Sequence, residues 1–162
     1  MDIIIASPTD CQRIAEIYNY YIGIATMDLE EKTGSYYQDF LDSKSEREEL
    51  WVMRDGSNTV VWGIIKKYSD REGYKTTGET SVYCDPDYLK KGHGTRMKKH
   101  LMNRCEQLGY HHLLARIQSD NKVSIHYNES LGYTIVGVQN EVGKIRGQWK
   151  DVTIMQYLFG DR

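Results

Sequence analysis

The sequence predicts a mixed α/β domain, and three observations predict it. Some stretches carry apolar residues at helical spacing, others carry them in short β-branched runs. Glycine and turn-forming clusters separate these stretches at short intervals. The elements then alternate along the chain in the order β-α-α-β-β-β-α-β-α-β-β, without a repeat, linker or low-complexity segment. A length of 162 residues suits a single domain, 1–162, with one core.

Asp2–Ala6 holds three consecutive isoleucines and reads as a short strand. Ser7-Pro8-Thr9-Asp10 then reads as a helix start, with a capping serine, a proline suited to the first turn and an acid at the positive helix end. Ile14, Ile17, Tyr18 and Tyr21 follow at helical spacing, and a more polar helix is expected over about 35–47. Leu50–Arg54 and Thr59–Lys67 flank Asp55-Gly56-Ser57-Asn58 and read as a hairpin. After a turn at Ser69–Gly73, a long strand is expected from about Lys75 to Cys84, ended by Pro86, which cannot donate to a ladder. A long helix runs to about Leu108, with Met97, Leu101, Cys105 and Leu108 as its apolar stripe, and Gly109 stands where a C-cap belongs. His112–Ile117 reads as a buried strand and about Asn121–Leu131 as a short helix closed by Gly132. Strands at about Tyr133–Glu141 and Trp149–Leu158 complete the order.

Composition excludes several classes. Hydrophobic residues at 40% and charged residues at 27% argue against disorder. A formal net charge of -2 gives no electrostatic reason to expect nucleic acid or an acidic membrane as partner. No apolar run approaches the ~20 residues that span a bilayer, and MDIIIASPTD lacks the basic start and apolar stretch of a signal peptide. Cys11, Cys84 and Cys105 are odd in number and far apart, which suggests reduced thiols in the cytoplasm. The five histidines (93, 100, 111, 112 and 126) show no metal spacing and read as surface or loop residues, so no metal is expected. The tyrosines at 18, 20 and 21 read as packing residues more readily than as a pocket.

The strongest local signal is the strand–glycine-loop–helix unit from Glu79 to Leu108. Gly92-His93-Gly94 at a helix N-terminus offers free backbone N–H groups and a positive dipole end, which suits phosphate. Met97 rules out the dinucleotide fingerprint, and no Gly-Lys-Ser/Thr follows for a Walker loop.

Four stretches carry a resemblance that spans nearly the whole chain: IAEIYNYYI, GETSVYCDPDYLKKGHGTRM, ARIQSDNKVSIHYNESLGYTIVG and GQWKDVTIMQ. In this order they resemble the GNAT superfamily of N-acetyltransferases, and most of all its phosphinothricin acetyltransferase-like branch. The resemblance implies a GNAT-type fold, a central, mostly antiparallel sheet flanked by helices. It implies acetyl-CoA as donor, a small amine as acceptor (an amino acid or its analogue) and direct transfer without an acyl-enzyme. It also implies a homodimer, for which Gly147-Gln148-Trp149 retains part of the C-terminal hairpin motif.

Carried over by residue, the resemblance makes Leu89, Lys90, Lys91, Gly92, His93, Gly94 and Thr95 the pyrophosphate loop, with Leu89 and Lys90 standing where the family has Gln or Arg and then Gly. Lys90 and Lys91 either add attraction to phosphate or are solvated. Val82, Tyr83 and Cys84 match the segment whose backbone pairs with the pantetheine arm, and an N–H there would polarise the thioester carbonyl. Cys84 reads as a packed side chain, not a nucleophile. Glu79 matches the catalytic glutamate, a base for an amine that is mostly protonated at neutral pH. Asn121 matches a CoA-contacting asparagine and equally suits an N-cap. Asn121, Ser124 and Asn128 share one helical face. Asn128 replaces the His or Tyr that protonates the leaving thiolate in many relatives, and an amide cannot serve as that acid; Tyr127 lies about 100° around the helix. Arg71, with Tyr74 near it, matches a position that holds a substrate carboxylate, or else is a solvated loop arginine. Met27 replaces an aromatic after the first helix and Ile145 a lysine of the last hairpin; both regions lie near the acceptor site or the subunit interface. The competing expectation is an acetyl-CoA-binding or ligand-sensing domain without turnover.

Overall fold

A computed structural model of the chain describes residues 1–160. Its centre is a seven-stranded sheet in the order β1-β2-β3-β4-β5-β7-β6. The strands are β1 (Ile3–Ile5), β2 (Glu49–Asp55), β3 (Asn58–Lys67), β4 (Thr77–Cys84), β5 (His112–Gln118), β6 (Thr134–Ile145) and β7 (Gln148–Leu158). The helices are α1 (Cys11–Tyr20), α2 (Gly34–Ser43), α3 (His93–Gln107) and α4 (Lys122–Ser130). Every strand pair is antiparallel except β4–β5. The element order is the one the sequence predicts. Among the described residues no helix is long and apolar enough to cross a membrane.

The two faces of β3 build two cores, because successive side chains of a strand point to opposite sides. Val61 and Ile65 join Met97, Leu101 and Cys105 of α3. Trp62 and Ile64 join Ile14, Ile17 and Tyr18 of α1 and Tyr37 of α2. Gly63 lets α3 lie close on the sheet: a Cβ there would meet Met97 Cγ at 2.8 Å and Leu101 Cδ1 at 2.9 Å. Asp10 is the acid of the first helical turn, as expected, and is also a buried anchor. Burial disfavours its charge, but hydrogen bonds from Arg54, the Ser7 N–H and Thr59 outweigh that and hold the carboxyl at about 2.

Two boundaries differ from the sequence reading for local reasons. Thr33 caps α2 through a bond from Tyr36 N–H at 3.3 Å, so the helix starts early and ends at Ser43. β6 continues past Glu141 to Ile145, because the polar Asn140-Glu141 stretch forms an irregularity on an edge strand and not a turn.

The feature that positions the site lies between β4 and β5. They pair only at Thr77↔His112, Gly78↔Leu113 and Glu79↔Leu114. Beyond that, β4 stays bonded to β3 as far as Cys84, and β5 to β7 as far as Gln118. The two strands therefore part, and the sheet is slit.

Candidate active site

The slit exposes backbone groups that a sheet would normally use. Asp85 N–H donates to Val60 O at 2.8 Å and Tyr68 N–H to Thr77 O at 3.2 Å. Bonding residues alternate in an antiparallel ladder, so odd-numbered residues of β4 bond to β3. The backbone groups of Val82 and Cys84 turn into the slit, where no strand meets them. Tyr21 Oη donates to Cys84 O at 2.5 Å, which marks that edge as open to α1 and the loop after it. Tyr83, by the same alternation, spends its backbone on β3; its ring stacks on Trp62 with centroids 4.9 Å apart. Of the three residues matched to the pantetheine segment, Val82 and Cys84 offer backbone bonds and Tyr83 offers wall.

A cavity of about 670 Å³ runs through the slit. At one end it meets the α3 N-terminus. Gly92 caps that helix with φ 82°, in the left-handed region that glycine enters without strain, and no side chain caps it. The first N–H groups of α3 are therefore free for an anion. A Cβ on Gly94 would meet nothing within 4 Å, and His93 Nδ1 is buried without a partner. Leu89, Lys90, Gly92, His93, Gly94 and Thr95 all line the cavity. Lys91 does not. Its ammonium turns back to Asp87 O at 3.4 Å and over the Tyr88 ring. These features fit a phosphate-bearing donor such as acetyl-CoA.

The opposite wall is α4. Asn121 caps it, accepting from Ser124 N–H at 3.2 Å, and also lines the cavity, so both readings of that residue hold geometrically. Asn128 is buried; its Nδ2 donates to Ser124 O at 2.8 Å, and its Oδ1 has no partner. Tyr127 reaches the cavity too, but its hydroxyl donates to Gly94 O at 3.3 Å and burial raises its pKa. Burial likewise pushes the Cys84 thiol up to about 11, which leaves it protonated and a poor nucleophile.

Glu79 stands at the closed end of the slit, on the α1/α2 face. Burial raises its carboxyl above the ordinary value, against the pull of Arg116 and Lys66. Arg116 Nη2 donates to Glu79 Oε1 at 2.8 Å. A carboxylate whose affinity for protons is raised by desolvation is a better base than an exposed one. On the same face a second cavity of about 170 Å³ is walled by Tyr18, Tyr37, Trp62 and Tyr83, with Asp28, Lys32 and Lys66 also lining it. Ser81 and Tyr83 line both cavities, so the small one adjoins the slit.

Three residues expected at the acceptor site lie outside both cavities. Arg71 and Tyr74 line neither cavity. Their loop forms a short 3₁₀ turn (Glu72–Tyr74), in which Arg71 is exposed and Tyr74 packs on Tyr68 with ring centroids 5.2 Å apart. Met27 lines neither cavity and is packed against Gly143 of β6. Sequence reasoning missed Arg116 and Lys98, and it weighed Tyr18 and Tyr21 as pocket residues but favoured packing, whereas Tyr21 lines the large cavity and Tyr18 the small one. A charged residue inside the apolar run HLLARIQ was a usable signal for Arg116. His93 and His100 are also more enclosed than expected, His100 lying edge-on to Trp51 with centroids 4.2 Å apart. Among the described residues no cluster suits a metal ion.

A sheet slit beside a helix N-terminus free to take a phosphate, with a half-buried carboxylate at the apex, fits an acyltransferase with a phosphate-bearing donor. Residues 3–154 match the acetyltransferase (GNAT) domain family, and the chain belongs to that family of acetyl-CoA-dependent enzymes. It is 30% identical to the L-amino acid N-acyltransferase MnaT of Escherichia coli (strain K12), an alignment covering 100% of this chain and 96% of that one. It is also 30% identical to the L-methionine sulfoximine/L-methionine sulfone acetyltransferase of Salmonella typhimurium, covering 96% and 93%. Among solved structures, a Salmonella typhimurium acetyltransferase with its cofactor acetyl-CoA superposes with a TM-score of 0.93 at 26% identity, covering 100% of this chain and 95% of that one.

Proposed function

We propose that this enzyme acetylates the primary amine of an amino acid or amino-acid analogue, with acetyl-CoA as donor and Glu79 as general base. The observation that carries this reading is the slit itself. It joins a phosphate-binding helix end on the α3 face to a half-buried carboxylate and an aromatic pocket on the α1/α2 face. Acetyl-CoA, when bound, supplies the activated acyl group. The α3 N-terminus and the loop Leu89–Thr95 hold its phosphates, Asn121 and Ser124 border the arm, and the Val82 and Cys84 backbone pairs with it. The Val82 N–H, turned into the slit, would be the fixed donor that stabilises the negative charge developing on the thioester oxygen. Glu79 takes the proton of the acceptor ammonium, directly or through one water.

The acceptor enters from the aromatic side. A pocket of this size admits a small side chain, and Lys66 and Lys32 at its rim attract a carboxylate. The two relatives whose names specify amino acids or their sulfoximine and sulfone analogues support this class. The protein works as a cytoplasmic homodimer. Its cysteines are free and buried, as a reducing compartment allows. Ile135, Val136, Val138 and Trp149 leave apolar surface on the β6–β7 hairpin for a second copy. CoA release over a panel of amino acids, their sulfone and sulfoximine analogues, and polyamines tests the reading. Amino acids or analogues should turn over best; a preference for polyamines would overturn the acceptor class.

A further inference from the structure

Lys98 lies on α3 beside Met97, yet it is 5% exposed and lines the slit cavity. Its Nζ donates to Thr80 Oγ1 at 2.7 Å and stands 4.8 Å from the centroid of the Tyr133 ring. Among the described residues no carboxylate pairs with it. A buried ammonium without an ion partner is unfavourable, and a leucine or methionine would fill the same space without that cost. Thr80 is the first β4 residue beyond the last β4–β5 pair, so Lys98 sits at the apex of the slit. It sits on the α3 face, opposite the face that carries Glu79. Two further polar atoms on this side, Asn128 Oδ1 and Tyr133 Oη, are buried and unpartnered.

We propose that Lys98 is the acid that protonates the departing thiolate, with its ammonium aimed by the Thr80 hydroxyl. The proposal rests on the acetyl-transfer reading. As the acceptor nitrogen bonds to the acetyl carbon, the carbon–sulfur bond breaks and its electron pair stays on sulfur. A proton passes from Lys98 Nζ to that sulfur and leaves a neutral amine. Glu79 first passes the ammonium proton of the acceptor to solvent, then takes the second proton, which the nitrogen loses on forming the amide; exchange with solvent resets Glu79 and reprotonates Lys98. The neighbouring groups do not compete for this role. Asn128 cannot ionise. The Tyr127 hydroxyl is bonded to Gly94 O, and burial raises the pKa of both Tyr127 and Tyr133. On α3 itself, burial pushes the Cys105 thiol up to about 12. From β4, Thr80 offers only its hydroxyl, and Cys84 is pushed up to about 11. Burial brings Lys98 down from 10.5 to about 8, close to the thiol value of about 8.5 that its proton must satisfy.

An acid must be protonated to act, so kcat should fall as pH rises through about 8. The test compares wild type with Lys98→Met, which keeps length without charge, and Lys98→Arg, which keeps charge without titrating in this range. The expected result is a descending limb near pH 8 in wild type that both variants lack. In Lys98→Met, kcat at neutral pH should drop by about 10²-fold, the lower bound for an acid–base group, and Arg should recover part of it by charge alone. Acetyl-CoA affinity should stay within about twofold, since no phosphate contact is removed. Independently of turnover, a ¹³C-lysine NMR titration of the unliganded protein should show one lysine titrating near pH 8 that vanishes in Lys98→Met. If wild type turns over and Lys98→Met keeps its rate and its alkaline limb, Lys98 is rejected and acetyl transfer stands. If wild type acetylates no amine, both fall. A Lys98 titration at the ordinary lysine value overturns the assignment whatever the kinetics.

Discussion

Replacing Arg116 by methionine tests Glu79 as base through its neighbour. Arg116 Nη2 stands 2.8 Å from Glu79 Oε1, and its charge favours the carboxylate. At an effective dielectric of 20, unit charges about 4 Å apart would be worth about 4 kcal/mol. The Arg116 side chain is 53% exposed and the Glu79 side chain 30%, so solvent screening brings the value to about 1 kcal/mol or less. Arg116→Met removes a charge that holds the Glu79 carboxyl down, so it should raise that carboxyl's pKa further. The base acts as the carboxylate, so the limb of kcat/KM that rises with pH should move to higher pH. The assay is the pH profile of kcat/KM for wild type and variant with one acceptor, whose own amine ionisation is common to both. A limb that stays in place, or moves to lower pH, refutes the claim that this limb belongs to Glu79 beside Arg116.

Other outcomes follow from the same geometry. Gly94→Val should weaken acetyl-CoA binding and shrink the rise in melting temperature that the ligand gives, because the new side chain fills space now open at the phosphate end; an unchanged shift would reject the loop assignment. Lys90→Gly should raise the stability of the unliganded protein by about 0.5–1 kcal/mol, since Lys90 holds φ at 61°, where an L side chain costs about 1–2 kcal/mol and glycine loses part of that gain through its freer unfolded state; denaturant melts would show it. Arg71→Ala should leave the acceptor KM unchanged while Lys66→Met raises it, and the reverse pattern would restore the loop arginine as the carboxylate partner.

The left-handed Lys90 shows how sequence and structure inform each other. The sequence shows a lysine where the resembled family has glycine, and the backbone shows why glycine suits that place. The element order, the α3 stripe and the glycine loop were legible because each rests on local periodicity or turn chemistry. The slit was not, since it depends on where two distant strands stop pairing. Lys98 was hidden for a related reason. It adjoins the apolar stripe of α3, and only the placement of Thr80 and Tyr133 against that helix encloses it. Where Arg71, Tyr74 and Met27 lie was not legible, because a loop's direction is set by its packing: Tyr74 lies on Tyr68, and Met27 on Gly143. Asn121 was read two ways from sequence, and one geometry accommodates both, since its Oδ1 caps α4 while the residue borders the cavity.

The central claim is that acetyl transfer runs through this slit with Glu79 as base, and the rate of Glu79→Gln tests it most directly. The substitution keeps the side chain's size and removes its capacity to accept a proton. With an amino-acid acceptor at neutral pH, kcat should fall by at least about 10²-fold, acetyl-CoA affinity should hold, and the loss should shrink as pH rises and the amine deprotonates unaided. Wild-type rates in Glu79→Gln at neutral pH would contradict the assignment of the base. A wild-type protein that binds acetyl-CoA but releases no CoA with any amine would contradict catalysis at this site.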